Sequence, residues 1–242
     1  MAKQIISNAR VWLDQFDMSG DFNAVALKTG VDAKEATPVS ATQHVYLPGL
    51  RTFDANLQGM WEGGTNANDE ILSARIGAAT APLVTIDPST NGGAEGDRVY
   101  FGPLMLADYQ PRGSIGDVLE FALAMQAAGG ISSGTLMHNA TRTVTGTGNV
   151  QQLVAIPAGR SLLVGAHLLA ISGGGSLTIA VQSAALVGFG TPTTRGTLAA
   201  MSVVGAQSLL IAGAITDTFY RITWTLTGAS PSAQFVVSLG LV

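Results

Sequence analysis

Several groups of residues in this chain have types and spacings that could do chemistry, and an acidic group near the N-terminus is the first. Asp14, Asp17 and Asp21 surround Ser19-Gly20, and clustered carboxylates are typical of calcium sites. Their spacing lacks the alternating ligands and the terminal glutamate of an EF-hand loop. We therefore interpret this group as a solvated hairpin turn.

A glycine-rich run, NGGAEG at residues 91–96, is a candidate phosphate-binding loop. It lacks the Lys-Ser/Thr end of such a loop, and it lacks the strand-to-helix setting of a dinucleotide site. A flexible loop between two strands explains the run better.

Paired carboxylates and histidines are the remaining candidates for catalysis. Glu62 with Asp69 and Glu70 offers paired acids, but no aromatic cleft signature accompanies them. The three histidines show no metal-ligand spacing, the chain has no cysteine, and no nucleophile elbow is present. The sequence therefore predicts no catalytic, cofactor-binding or metal-binding residue, and we expect a protein that is not an enzyme.

Charge is distributed very unevenly along the chain. The segment up to Asn139 holds eight basic and fifteen acidic residues, whereas the remainder holds four and one. A soluble domain usually has about 25% charged residues, which limit self-association. We expect other copies of the protein to cover the surface of the charge-poor segment. The acidic first half argues against nucleic-acid binding and would let DNA pass without sticking.

Composition indicates a packed protein, since 47% of the residues are hydrophobic and 12% are charged. No apolar run approaches the roughly 18–20 residues of a membrane-spanning helix. The N-terminus lacks the features of a secretory signal. We therefore expect no membrane partner and assembly or action in the cytoplasm.

Alternation of period two predicts strands throughout the second half. It is clear at 177–182, 220–227 and 235–241, with glycine and proline turns between the strands. The segment 161–171, which includes His167 and Leu168, is apolar on both faces, which predicts a central strand covered on both sides or a strand at an interface. We expect His167 to be a hydrogen-bonded core or interface histidine and Trp224 to pack in the core.

The first half predicts strands around one short helix. The predicted strands cover 9–13, 23–29, 44–47, 51–61, 83–86, 99–108 and 118–127, the last also having a helical stripe. Pro48-Gly49 is read as the turn between two of these strands. Asn68 or Asp69 can cap a helix through Ile76 that Gly77 ends.

The fall in charge density and the Gly-rich segment GGISSGTLMHN predict a domain boundary. We expect a β domain at 1–130, a linker at 131–140 and an antiparallel β-sandwich at 141–242. The predicted fold class is mainly β.

Three segments of the first half form a further pattern: VWLDQFDMSGDFNAVAL, HVYLPGLRTFDANLQGMWEG and NDEILSARIG. On these segments, residues 5–127 resemble the major tail tube proteins of long-tailed bacteriophages. In that family a strand with an Asp/Ser/Gly turn precedes a Pro-Gly-Leu hairpin, a strand ending near Gly-x-Trp, and an acidic-capped helix. The second half, with VQSAALVGFGTPTTR and DTFYRITWTLTG, looks like a β-sandwich module of phage virion proteins.

This resemblance implies a barrel or sandwich for the first domain and a structural role in the virion tail. Family members form stacked hexameric rings, or trimeric ones when the domain is duplicated, around a channel for DNA. The implied partners are other copies of the chain and other virion proteins, with DNA passing unbound and no cofactor. The residues that we assign to structure and assembly are Pro48, Gly49, Leu50, Trp61, Gly77, Leu168 and Trp224.

Two other functions remain open. A capsid decoration protein would also be a cysteine-free β protein built for symmetric association, but it would form discrete trimers on a shell. A receptor- or carbohydrate-binding module would use exposed aromatic residues, and only 6% of the residues are aromatic.

Overall fold

The structure, a computed structural model, describes residues 8–39 and 42–242 of the chain. The protein is mainly β with antiparallel sheets and, in the described residues, one short helix and no closed barrel, which confirms the predicted class. In chain order the elements are β1 (Arg10–Leu13), β2 (Phe16–Asp17), β3 (Phe22–Glu35), β4 (Tyr46–Met60), α1 (Asn68–Ser73), β5 (Leu83–Asp87), β6 (Arg98–Arg112), β7 (Glu120–Ala127), β8 (Ser132–Arg142), β9 (Gly146–Thr147), β10 (Gln151–Gln152), β11 (Ser161–Ser172), β12 (Leu177–Ala184), β13 (Thr193–Thr197), β14 (Gly205–Ala212), β15 (Phe219–Leu226) and β16 (Ser232–Leu241).

These elements form two compact units. The first unit contains residues 8–20, 82–103 and 129–242, and the second contains residues 21–39, 42–81 and 104–128. The first unit therefore takes segments from both halves of the chain, whereas the sequence predicted domains that follow one another.

Residues 132–140 of the segment that we predicted to be a linker lie within β8, which pairs with β16. Its one glycine, Gly134, allows close strand packing rather than flexibility, because a Cβ there would lie 2.1 Å from the backbone oxygen of Leu239. Glycine at this position therefore reflects the close approach of β8 and β16.

The first unit is a two-sheet sandwich. One sheet has the order β14-β11-β16-β8-β6-β5-β1-β2, of which β6 contributes residues 98–103, and the other has the order β10-β15-β12-β13 with β9 beside β15. Leu162, Val164 and Leu168 of β11 pack in the core with Ile179 and Trp224 from the other sheet.

Strand β11 is apolar on both faces, as predicted. Its Leu163 points away from the sandwich core and packs in a second cluster with Trp12, Phe101 and Val236. Paired on its two sides with β14 and β16, β11 is a central strand. Both of its faces are covered within the first unit.

The second unit is a sheet of β3, β4, β7 and residues 104–112 of β6. Phe53, Ala55 and Leu57 of β4 alternate with exposed residues and form its buried face. Phe121 of β7 is buried and makes an edge contact with Phe22, with ring centroids 5.5 Å apart. The segment 118–127, which also had a helical stripe, is therefore a strand from Glu120 onward, as predicted.

Helix α1 is shorter than the sequence predicts and is capped differently. Ala67 occupies the N-cap position without a side-chain hydrogen bond, and Asn68 begins the helix. The Asn68 side chain accepts from the Glu62 amide at 2.9 Å and donates to the Met60 carbonyl at 2.8 Å. The helix ends at Ser73 because Ile76 forms a bridge with Leu106 of β6.

Candidate assembly surface

The histidines and acids that were candidates for chemistry have structural partners. His167 is buried, its Nε2 lies 2.8 Å from Thr85 Oγ1, and burial lowers its pKa to about 4. His138 is also buried, with Nδ1 2.7 Å from Glu95 Oε1, and burial is the main cause that lowers its pKa. In the part of the chain that the structure describes, no group of three or more His, Asp or Glu residues could hold a metal ion.

A long hairpin in the second unit is the candidate assembly surface. Strands β3 and β4 pair along their whole lengths, from Phe22 opposite Gly59 to Glu35 opposite Tyr46. Strand β7 accompanies β4 only from Asp54 to Met60. Beyond that point the hairpin is a two-stranded ribbon. We call residues 30–39 and 42–52 the distal arm.

The distal arm has exposed apolar side chains where an isolated ribbon would be expected to be polar. The exposed fractions are 82% for Leu50, 58% for Tyr46, 56% for Leu47 and 51% for Val31. A two-stranded hairpin without further packing is marginally stable in water. An apolar ribbon of this kind is therefore suited to packing against another chain.

Pro48 and Gly49 lie inside β4, so the predicted turn at this position is wrong. Val31 pairs with Arg51 and Ala33 with Pro48, which leaves Asp32 opposite two residues in a bulge. A Cβ at Gly49 would lie 2.5 Å from the backbone oxygen of Asp32. Glycine thus allows the bulge, and proline is tolerated because, among the described residues, β4 pairs with β3 alone at this point.

Polar contacts close the tip of the distal arm. The Thr37 hydroxyl donates to Glu35 Oε1 at 2.7 Å and accepts from the Val45 amide at 3.1 Å. The hydrogen bond from Thr37, and to a smaller extent the hydrogen bond with His44, lowers the pKa of the Glu35 carboxyl. The Ala36 amide donates to the Val45 carbonyl at 2.8 Å. These bonds connect the two strands at the end of the ribbon.

The other residues predicted for structure and assembly lie in different environments. Trp61 follows the end of β4 and is half-buried, and its amide donates to the Leu119 carbonyl at 2.9 Å. Gly77 has a φ of +65°, beyond the end of α1. Leu168 and Trp224 are buried in the sandwich core of the first unit. The structure thus places Pro48, Gly49 and Leu50 on one surface and the rest elsewhere.

Trp224 has several specific contacts in that core. Its Nε1 donates to the Val144 carbonyl at 2.9 Å, and the Arg142 guanidinium lies 5.2 Å from the ring centroid. His138 stacks on the same ring at a centroid distance of 4.9 Å. The prediction that Trp224 packs in the core is confirmed.

Sequence reasoning missed Val31, Tyr46 and Leu47 as members of the exposed surface. The signal available was the run YLPGL, in which apolar residues interrupt the alternation of β4. Alternation alone does not reveal that β7 ends before this run.

In the described residues, no helix is long and apolar enough to cross a membrane.

No family model matches this chain, and no curated protein sequence matches it. Among solved structures, it is similar to a chain from the virion of a native gene transfer agent, with a TM-score of 0.44 and 18% identity, over 54% of this chain and 98% of that one. A chain from the tail of an empty gene transfer agent particle, refined with C6 symmetry, has a TM-score of 0.38 and 18% identity, over 47% of this chain and 82% of that one. The Dit protein (gp 19.1) of phage SPP1, described as a hub of the adsorption apparatus, has a TM-score of 0.39 and 10% identity, over 97% of this chain and 99% of that one.

Proposed function

We propose that this protein is a structural subunit of a bacteriophage virion, a tail component that associates with copies of itself through the distal arm. The resemblance of residues 5–127 to tail tube proteins supplies the class of protein. The exposed apolar ribbon of β3 and β4 supplies the means of association, and it is the observation that carries the proposal.

The energetics of the arm favour association. Complete burial of an apolar side chain of the size of leucine contributes about 1.5–3 kcal/mol. Leu50, Leu47, Tyr46 and Val31 are all more than half exposed in the single chain. A head-to-tail contact of this surface with a neighbouring subunit can close into a ring, and every subunit then contributes the same contact.

The charge of the second unit agrees with a channel through which DNA passes. Its residues include ten acidic and five basic side chains, whereas the described residues of the first unit include six of each. An acidic wall repels the phosphate backbone and prevents tight binding. We infer that the second unit contributes to the channel wall of stacked rings and that the role is that of a tail tube subunit.

The experiment compares assembly of the wild-type protein with that of an arm variant, Tyr46→Ser combined with Leu50→Ser. The matched control is Leu186→Ser, because Leu186 is 75% exposed and lies in the first unit. Light scattering after size-exclusion chromatography gives the mass, and negative-stain electron microscopy gives the shape. We expect rings or tubes for the wild type and the control, and monomers for the arm variant.

Two results would overturn parts of this proposal. Assembly of the arm variant equal to that of the wild type would remove the arm from the contact. Discrete rings that never stack, across a concentration series, would exclude the tail tube role and favour a single-ring component of the tail. Trimers that bind expanded capsids would favour the decoration protein instead.

A further inference from the structure

One groove of the first unit lies between its two sheets. Its volume is about 380 Å³, within the range of about 300–1,000 Å³ that is typical of binding clefts. Residues 133–135, residues 239–241 and Leu162 of the first sheet form one wall, and residues 152–154, which begin in β10 of the second sheet, form the other. We call this cavity the β10 groove. All of its lining residues belong to the first unit.

The β10 groove combines an apolar floor with a single positive charge. Ile156, Leu162 and Leu239 line it, are buried, and belong to the sandwich core. Arg98 is the one charged residue of the lining, and it is exposed. In the described part of the chain, the Arg98 side chain has no hydrogen-bond or ion-pair partner. The groove therefore suits a partner with apolar side chains and one carboxylate, because a guanidinium binds a carboxylate through charge-assisted hydrogen bonds.

One face of the distal arm has the complementary composition. Ala33 and Glu35 of β3 lie opposite Pro48 and Tyr46 of β4, and opposite residues of an antiparallel pair share a face. All four of these residues are exposed. This face therefore offers apolar groups beside one carboxylate.

Glu35 can accept a further hydrogen bond. The Thr37 hydroxyl donates to Glu35 Oε1, and His44 Nδ1 lies 2.5 Å from the same oxygen. Among the residues that the structure describes, none donates a hydrogen bond to Glu35 Oε2. Asp32, by contrast, forms an ion pair with Lys34. Glu35 is thus the carboxylate of the arm that is best placed to bind a guanidinium of another chain.

We propose that the β10 groove of one copy accepts the distal arm of a second copy, with Tyr46 and Pro48 against the apolar floor and Arg98 donating to Glu35. This inference rests on the proposed function, since it names the surface that the arm contacts. Arg51, on the same face, lies at the end of the arm farthest from Glu35 and stays outside the groove. Every copy has one arm and one groove, so the contact is head-to-tail and repeats from subunit to subunit.

Charge reversal tests this contact in the full chain. Arg98→Glu and Glu35→Arg should each raise the protein concentration at which half of the chains assemble by about tenfold or more, because like charges then face each other. The double variant restores opposite charges and should assemble at a concentration close to that of the wild type. Light scattering across a concentration series measures assembly. Both residues are exposed, so we expect the variants to fold, and circular dichroism checks this.

A substitution on the other wall of the groove tests the contact without changing the charge pair. Val154 lines the groove and is more than half exposed. Val154→Asp should therefore fold but weaken assembly, because it places a carboxylate against the apolar face of the arm. Val144→Asp is the matched control, since Val144 is also more than half exposed in the first unit but lies outside the groove. We expect the control to assemble as the wild type does.

Three results would overturn this inference, and they separate it from the proposed function. If Arg98→Glu and Val154→Asp assemble as the wild type does while the arm variant, Tyr46→Ser with Leu50→Ser, remains monomeric, the groove is not the acceptor and the proposed function stands. A double charge variant that assembles no better than either single variant overturns the pairing of Arg98 with Glu35. Assembly of the arm variant equal to that of the wild type overturns the proposed function and this inference together.

Discussion

Strand β11 and the distal arm both contain several large apolar residues, but these side chains are buried in β11 and exposed on the distal arm. In β11, Leu163 and Leu168 are covered on the two faces of one strand by clusters within the first unit. On the distal arm, Leu47 and Leu50 are more than half exposed. The two segments differ in the strands beside them, because β11 pairs with a strand on each side, whereas in the distal arm β3 and β4 pair with each other.

This difference revises the interpretation of the charge pattern. The charge-poor second half suggested a surface covered by other subunits. The longest apolar strand of that half, β11, is instead covered by its own sandwich. The large exposed apolar residues of the distal arm lie among charged residues such as Asp32 and Lys34, which form an ion pair of 2.7 Å. Low charge in a sequence therefore does not by itself locate an interface.

The largest effect is expected from Trp224→Ala, which tests the sandwich core that covers one face of β11. Removal of a buried tryptophan should lower the free energy of unfolding by about 3–5 kcal/mol. The hydrogen bond to Val144 and the stacking with His138 are lost with the indole. Urea denaturation followed by circular dichroism measures the change. A loss below about 1 kcal/mol would place the ring on the surface.

Leu168→Ala and Leu50→Ala compare the two regions with the same substitution. Leu168 is buried, so its truncation to alanine should lower the free energy of unfolding by about 2–5 kcal/mol. Leu50 is 82% exposed, so its truncation should change the stability of the monomer by less than about 0.5 kcal/mol. Denaturation at low protein concentration measures both variants. Equal losses of unfolding free energy would show that Leu50 is covered within the single chain, and the contrast between β11 and the distal arm would then be wrong.

The pH dependence of stability tests the burial of His167, which lies on β11. Its pKa is about 4 in the folded protein, because of burial, against an ordinary value of 6.5. The unfolded chain therefore binds the proton more readily between these values, and stability falls as the pH is lowered from 6.5 to 4. The loss amounts to about 3 kcal/mol and is complete near pH 4.

His167→Gln isolates this effect from that of other titrating groups. The variant retains a hydrogen-bonding side chain beside Thr85 but has no proton to bind in this range. We compare the slopes of unfolding free energy against pH rather than the absolute stabilities. A slope for His167→Gln equal to that of the wild type would show that His167 is accessible to protons in the folded state.

Local patterns predicted the elements whose environment is encoded in their own residues. The alternation around Trp224 predicted a core tryptophan, and the two apolar faces of 161–171 predicted either a central strand or a strand at an interface. Pro48-Gly49 was misread because turns and bulges use the same residue types. Only the register of β3 against β4 shows that Pro48 pairs with Ala33 and that Gly49 lies in the bulge opposite Asp32.

Long-range pairing explains what the sequence could not reveal. The division into units depends on the pairing of β8 with β16, about a hundred residues later in the chain. The exposure of the distal arm depends on where β7 ends beside β4. The order of the loop after β5 depends on Ser89, which donates hydrogen bonds to both Asp87 and Asp97.

Gly77→Ala has a smaller expected effect than the loss of a core side chain, and it separates a role in folding from a role in assembly. Gly77 has a φ of +65°, but an added Cβ would meet no atom within 4 Å, so the cost is conformational. We expect a loss of about 1 kcal/mol in unfolding free energy. Gly20→Ala is the control, since Gly20 also has free space for a Cβ and has no positive φ. Light scattering should give the same assembled mass for both variants as for the wild type, because Gly77 lies outside the distal arm. A Gly77→Ala protein that folds with wild-type stability but assembles poorly would show that the contact between subunits extends beyond the arm to the segment that follows α1.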